Sequence, residues 1–132
     1  MDDKVRGFLD QHHTAVMTTT KKDGTPHVAM VGIGLVDGEL WSSGTQDRVR
    51  TGHLRRLPKA ALCVLDMDNR YSWLGIEATV DILDGPEAVE QNLALYRVLA
   101  GEPDDLEEYK AAMVKEKRLI YRFNIERTYG MI

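Results

Sequence analysis

The chain has 132 residues, 43% of them hydrophobic and 29% charged, with a formal net charge of −4. These proportions describe one ordinary globular domain over residues 1–132, large enough to bury a core, and the acidic balance argues against a dedicated nucleic-acid binder. A single cysteine, Cys63, excludes an internal disulfide and a thiol metal cluster; it sits in the apolar run 60–65 and is expected to be a small buried hydrophobe. No run approaches the ~20 apolar residues of a membrane span. The start, Met1-Asp-Asp-Lys4, lacks the apolar stretch of a secretory leader, so a cytoplasmic location is expected.

In chain order, Val5, Phe8 and Leu9 predict a short helix over 3–12. The β-branched run 14–20 predicts a strand, and Asp23-Gly24 a hairpin turn into a second strand from Pro26 to about Val36. Asp37-Gly38 is another turn signal, before a third strand over 39–43. A helix over 46–57 stops at Pro58. Residues 59–66 form an apolar strand, 66–70 a polar loop, and 71–83 a long strand that places Tyr71 and Trp73 on one face. Two helices, about 86–100 and 104–116, are split by Gly101-Glu-Pro103, and the alternation of Leu119, Tyr121, Phe123 and Ile125 marks a last half-buried strand. Six turn-linked strands pair antiparallel. The fold class expected is mainly β with flanking helices, as a small six-stranded barrel, because closure removes sheet edges. Gly32 and Gly34 inside the second strand mark a barrel corner or a place where something flat approaches the backbone.

The stretch Leu40 to Pro58 concentrates the chemistry. Four arginines, Arg48, Arg50, Arg55 and Arg56, fall within nine residues of an acidic protein, after a Ser-Ser-Gly-Thr hinge at 42–45. Open amides at a helix start, hydroxyls and guanidinium forks at one spot favour a phosphate or carboxylate; a solvated basic helix face is the alternative. Arg50 shares a helix side with Leu54 and Leu57, where a guanidinium is costly unless an anion meets it. Arg48 and Arg50 are therefore the stronger candidates. Arg55 and Arg56, a turn away, serve equally well as surface cover. Ser42, Ser43 and Thr45 are candidate phosphate donors or helix caps. His12, His13, His27 and His53 have no ligand spacing with one another or with a carboxylate, so no metal is expected. No nucleophile motif, Walker loop or dinucleotide fingerprint is present, so any redox chemistry would be carried by a cofactor.

The ordered set Thr18–His27, Ser43–Arg50, His53–Pro58, Tyr71–Glu77, Leu95–Glu102 and Arg118–Gly130 resembles the flavin- and deazaflavin-binding split β-barrel family that includes pyridoxamine 5′-phosphate oxidase. The likeness is greater to its actinobacterial branch of coenzyme F420-dependent reductases. The resemblance implies a six-stranded antiparallel split barrel and a homodimer with cofactor sites at the subunit interface. It implies that Arg48 and Arg50 hold the cofactor phosphate; Arg55 and Arg56 remain candidates from their spacing alone. Ser43 falls near the ring and ribityl chain, the backbone of Met30, Val31 and Gly32 passes the ring, and Tyr71 and Trp73 reach the site from the partner. The chain ends at Tyr129-Gly-Met-Ile132 without the basic and aromatic segment of the vitamin oxidase, which turns the expectation from that oxidase toward an F420-dependent reductase. Such an enzyme passes a hydride to an electron-poor small organic substrate, with no nucleic acid or membrane partner. Flavin mononucleotide (FMN) is the alternative cofactor, and a non-catalytic F420 carrier the alternative role.

Overall fold

The computed structural model describes residues Met1–Ile132. Asp2 starts the first helix, α1 (Asp3–Gln11), by accepting a 2.8 Å hydrogen bond from the Val5 amide, which satisfies one donor that a helix start leaves open. Val5 and Leu9, four apart, share a face and are buried. Strands β1 (Thr14–Thr20) and β2 (Pro26–Gly32) form a hairpin; in its turn Gly24 takes φ +90° and Asp23 Oδ1 accepts from the Thr25 amide at 3.0 Å. Strands β3 (Gly34–Val36) and β4 (Glu39–Thr45) form the next hairpin. Its two turn residues, Asp37 (φ 49°) and Gly38 (φ 80°), are both left-handed, matching the twist of the flanking strands. There follow α2 (Val49–Arg56), β5 (Lys59–Leu65), β6 (Trp73–Leu83), α3 (Ala88–Ala100), α4 (Leu106–Lys115) and β7 (Arg118–Met131).

The strands make one antiparallel sheet in the order β2-β1-β5-β6-β7-β4-β3. Its two outermost strands, β2 and β3, are neighbours in sequence, separated only by Ile33. Laid flat, those edges would be six strand spacings apart, roughly 29 Å. Two residues of chain reach at most ~7 Å. The sheet must therefore roll up until its edges meet. No ladder joins β2 to β3; instead Ser42 Oγ donates to the Gly32 carbonyl at 2.7 Å across the seam. The result is a split barrel.

It has seven strands rather than six, because the expected strand from Pro26 to Val36 is cut at Ile33. The Ile33 amide donates to the His13 carbonyl at 2.9 Å, and its own carbonyl accepts from His13 Nδ1 at 3.0 Å. Gly32 and Gly34 flank this corner. A Cβ at Gly34 would lie 3.0 Å from Val98 Cγ1, so α3 closes over the corner because that side chain is missing.

The main core holds 18 buried residues, drawn from α1, α2, every strand but β3, and Ile33 at the corner, each large apolar side chain contributing about 1.5–3 kcal/mol. Val36, Trp41, Leu95 and Ile120 make a smaller cluster between the outer face of β3, β4 and β7 and helix α3. Alternation along β5 turns Ala60, Leu62 and Val64 inward, which puts Cys63 on the outer face, half-buried, and not in the core as expected. No helix is long and apolar enough to cross a membrane.

Candidate functional site

Helix α2 closes the end of the barrel where β4 finishes and β5 begins, with Thr51 and Leu54 buried against the core. It is shorter than expected. Gln46 and Asp47 form a turn, and Arg48 is the N-cap, with extended backbone and no side-chain capping bond. The hydroxyls of Ser42, Ser43 and Thr45 do not cap it. Thr51 Oγ1 instead donates backward to the Thr45 carbonyl at 2.7 Å. That uses the threonine's proton, so the buried Tyr121 hydroxyl donates to Thr51 Oγ1. The Tyr121 ring fills the space a Cβ on Gly44 would occupy. This Gly44–Tyr121–Thr51–Thr45 chain fixes where α2 starts.

The four arginines divide into two pairs. Arg55 donates to Asp84 Oδ2 at 2.9 Å and to Gln46 Oε1 at 2.7 Å; its hydrogen bond, with a smaller one from Gln46, holds the Asp84 carboxyl below the usual carboxylate range. Arg56 donates to the Thr20 carbonyl and ties α2 to β1. Both are engaged within the chain. Arg48 is exposed and has no side-chain partner. Arg50 is half-buried, its guanidinium 5.9 Å from the Tyr121 ring centroid, and its Nε is buried without a hydrogen-bond partner. Folded proteins rarely leave such a donor open.

Sequence reasoning missed a pair of histidines at this end. Arg50 and His53 are three apart and project from one side of α2. The His53 ring packs edge-on against His27 of β2 at 5.1 Å, and His53 Nδ1 shares a 2.9 Å hydrogen bond with Thr19 Oγ1 of β1. His27 Nδ1, like Arg50 Nε, is buried and unpartnered. Burial, then the positive charges of His27, Arg56 and Lys21, push the His53 pKa below its usual value. The signal available in sequence was positional: His27 lies directly across the hairpin from Thr19.

The other expected site residues are spread over the sheet. Met30 is 64% exposed on the outer face of β2, with Val28 beside it at 64%. Val31 points into the core, so it can offer a cofactor only its backbone. Gly32, exposed, sits at the seam. Tyr71 does not share a strand face with Trp73. Asp66 Oδ1 accepts from the Asp68 and Asn69 amides, and Asn69 Oδ1 from the Tyr71 amide, which holds Tyr71 in a loop before β6, exposed and stacked on Arg70. Trp73 opens β6 and meets Tyr129 edge-on at 6.0 Å. The cross-sheet row Gly32–Thr14–Leu65–Trp73 sets Trp73 three strands from Gly32, roughly 14 Å. Ser43 pairs with Ile120 while Tyr121 pairs with Ser42, so Ser43 lies on the opposite face of β4 from Tyr121. Its hydroxyl donates to Asn92 Oδ1 of α3, at the edge of a cleft of about 420 Å3 lined by Leu95, Tyr96, Tyr109 and Arg118. A second cleft, about 290 Å3, lies on β1, β5 and β6. Neither is lined by Arg48 or Arg50.

The chain is 23% identical over 135 residues to an F420H(2)-dependent biliverdin reductase of Mycobacterium tuberculosis (strain CDC 1551 / Oshkosh), covering 98% of this chain and 88% of that protein. Among solved structures, a conserved hypothetical protein of Mycobacterium tuberculosis superposes with a TM-score of 0.81 at 23% identity, over 97% of this chain and 82% of the other. A protein named as an F420 reductase superposes with a TM-score of 0.77 at 22% identity, over 98% of both chains. The family profile described as pyridoxamine 5′-phosphate oxidase matches residues 1–132. A seven-stranded sheet rolled shut at one residue, a helix with open basic residues at its mouth, and a profile that spans the whole chain agree: this chain belongs to the pyridoxamine 5′-phosphate oxidase family.

Proposed function

We propose that the chain is an oxidoreductase that uses reduced coenzyme F420 to reduce an electron-poor small organic substrate. The observation that carries this reading is the buried, unpartnered Nε of Arg50 beside the uncapped start of α2. An anion there supplies the missing acceptor and meets the positive end of the helix. Arg48, exposed one residue before the helix, adds a second guanidinium to the same anion. The names of the relatives supply the choice of coenzyme. Reduced F420 provides the hydride when bound; the chain's own residues grip the coenzyme, orient it and exclude water. The exposed backbone at Met30 and Gly32 is the surface offered to its ring. Arg55 and Arg56, already engaged, brace the helix that carries the clamp.

The site is completed by a second copy of the chain. Val28 and Met30 on β2, and Tyr129 and Met131 four strands away on β7, are exposed on the outer face of the sheet, and such apolar exposure supports an interface there. Trp73 lies too far across that face to meet Gly32 of its own chain, so in a homodimer it serves the partner's site. FMN is the second reading, because its phosphate suits the same clamp and the family includes flavin enzymes.

Titration of the purified protein in low salt with F420 and with FMN, followed by coenzyme fluorescence, tests the proposal. Saturable F420 binding, weakened at least about tenfold by Arg50→Ala, is expected. Tight FMN binding with no saturable F420 binding overturns the choice of coenzyme.

A further inference from the structure

The buried side-chain atoms without a hydrogen-bond partner are two, His27 Nδ1 and Arg50 Nε. Both belong to the end of the barrel closed by α2. His53 links them: it is three residues from Arg50 on one helix face and packs against the His27 ring at 5.1 Å. The surrounding charges have one sign. Arg56 comes from α2 and Lys21 from the β1–β2 turn, while β1 contributes the neutral Thr19, hydrogen-bonded to His53. No carboxylate is among the groups acting on His53. A metal ion would be repelled by these cations and would find no anionic ligand. What the cluster lacks is an anion.

We infer that His27 and His53 are the titrating half of the clamp: an oxyanion of the phosphate class held by Arg50 takes a further hydrogen bond from His27 Nδ1, and its binding draws a proton onto the imidazole pair. This rests on the anionic-coenzyme reading for the identity of the natural ligand, but the clamp is testable without it. In the ligand-free protein, His53 resists protonation because it is partly buried among cations. An anion reverses that field and favours the imidazolium. Binding and proton uptake are then linked, and affinity falls as pH rises through the histidine range.

The imidazole resonances of His27 and His53 are titrated by NMR, alone and with inorganic pyrophosphate, F420 or FMN. In parallel, F420 and FMN dissociation constants are measured from pH 5.5 to 8 for the wild type and for His27→Gln, which keeps a donor but cannot titrate. The ratio of the two proteins' constants cancels any titration of the ligand itself. The expected result is a His53 midpoint raised on binding, and a ratio that changes at least about fivefold across the range. If F420 binds but the midpoint stays put and the ratio is flat, the inference is wrong and the coenzyme reading stands. If neither coenzyme binds while pyrophosphate raises the His53 midpoint, the clamp stands and the coenzyme reading falls. If none of the three anions moves the histidines, the inference is overturned.

Discussion

Replacing Arg50 with methionine separates a ligand contact from a structural one, because the two roles predict opposite signs in the ligand-free protein. Methionine keeps the apolar stem and removes the guanidinium. In the free protein the buried Nε has no partner, and relieving an unsatisfied buried donor returns about 1–3 kcal/mol. Against this stands the loss of the contact with the Tyr121 ring. At 5.9 Å to the centroid it lies at the outer limit of a cation–π interaction and contributes ~0.5–1 kcal/mol. The balance runs from about neutral to about 2.5 kcal/mol stabilising. At roughly 3–5 °C per kcal/mol for a chain of this size, the ligand-free Tm stays level or rises by several degrees. Coenzyme binding moves the other way: a charge-assisted hydrogen bond contributes about 1.5–3 kcal/mol, so affinity falls roughly 10- to 150-fold. Differential scanning calorimetry without ligand and fluorescence titration with F420 read the two effects separately. A Tm lowered by several degrees with affinity unchanged would show that Arg50 is a packing residue, and the site argument would fail with it.

Gly44→Ala drives a methyl group into the buried Tyr121 ring and should destabilise the fold by at least about 1–3 kcal/mol in urea denaturation; Tyr121→Phe should not rescue it, because ring carbons as well as the hydroxyl are struck. The double substitution Val28→Glu with Met30→Glu, at two exposed positions on the outer sheet face, should leave the fold intact by circular dichroism and shift sedimentation from dimer to monomer; an unchanged dimer would place the interface elsewhere. For His53 the sign follows from its lowered folded-state pKa, caused first by burial and then by His27, Arg56 and Lys21. Below the unfolded value of 6.5 the unfolded chain binds more protons, so ligand-free stability declines as pH falls from 6.5 toward the folded-state pKa. His53→Gln should flatten Tm between pH 7.5 and 5.5, and an equally steep decline in the variant would assign the effect to another group.

Much of the fold was legible because local signals agreed with one another. Asp23-Gly24 and Asp37-Gly38 fixed two hairpins, and both glycines adopt the positive φ those turns require. The β-branched run 14–20 placed β1 to the residue. Gly32 and Gly34 marked the corner, but not that it cuts the strand in two at Ile33; the His13 backbone and ring, twenty residues away, decide that. Tyr71 was read into the strand because its ring suits one, but the side chains of Asp66 and Asn69 capture the loop amides and hold it outside. At the site, the arginine cluster stood out against an acidic background. Which arginines were free did not, because Asp84 and the Thr20 carbonyl reach Arg55 and Arg56 only in three dimensions. The histidine pair was invisible for the same reason.

The polar bookkeeping of the whole molecule supports the proposal that the barrel mouth, rather than either of these two clefts, is the functional end. Near the larger cleft each buried polar group has its partner: Asn92 accepts from Ser43 and donates to the Ala88 carbonyl at 2.9 Å, and Tyr109 donates to the Asn92 carbonyl at 3.1 Å. The seam is satisfied by Ser42, and the core hydroxyls of Thr51 and Tyr121 by each other and by Thr45. Only at the mouth does the fold leave buried side-chain polar atoms without a partner, Arg50 Nε and His27 Nδ1, and like charges surround His53 beside them. Such a cluster opposes folding, since unpartnered buried polar atoms and mutual repulsion both raise the free energy of the native state. Local inconsistency of this kind in an otherwise consistent structure is the mark of a site selected for binding. The same cluster makes the ligand a stabiliser. An anion that pairs with Arg50 and His27 removes the repulsion as well as adding contacts, so the gain in Tm on binding should grow as pH falls from 8 to 5.5, and a gain independent of pH would separate the histidines from the clamp.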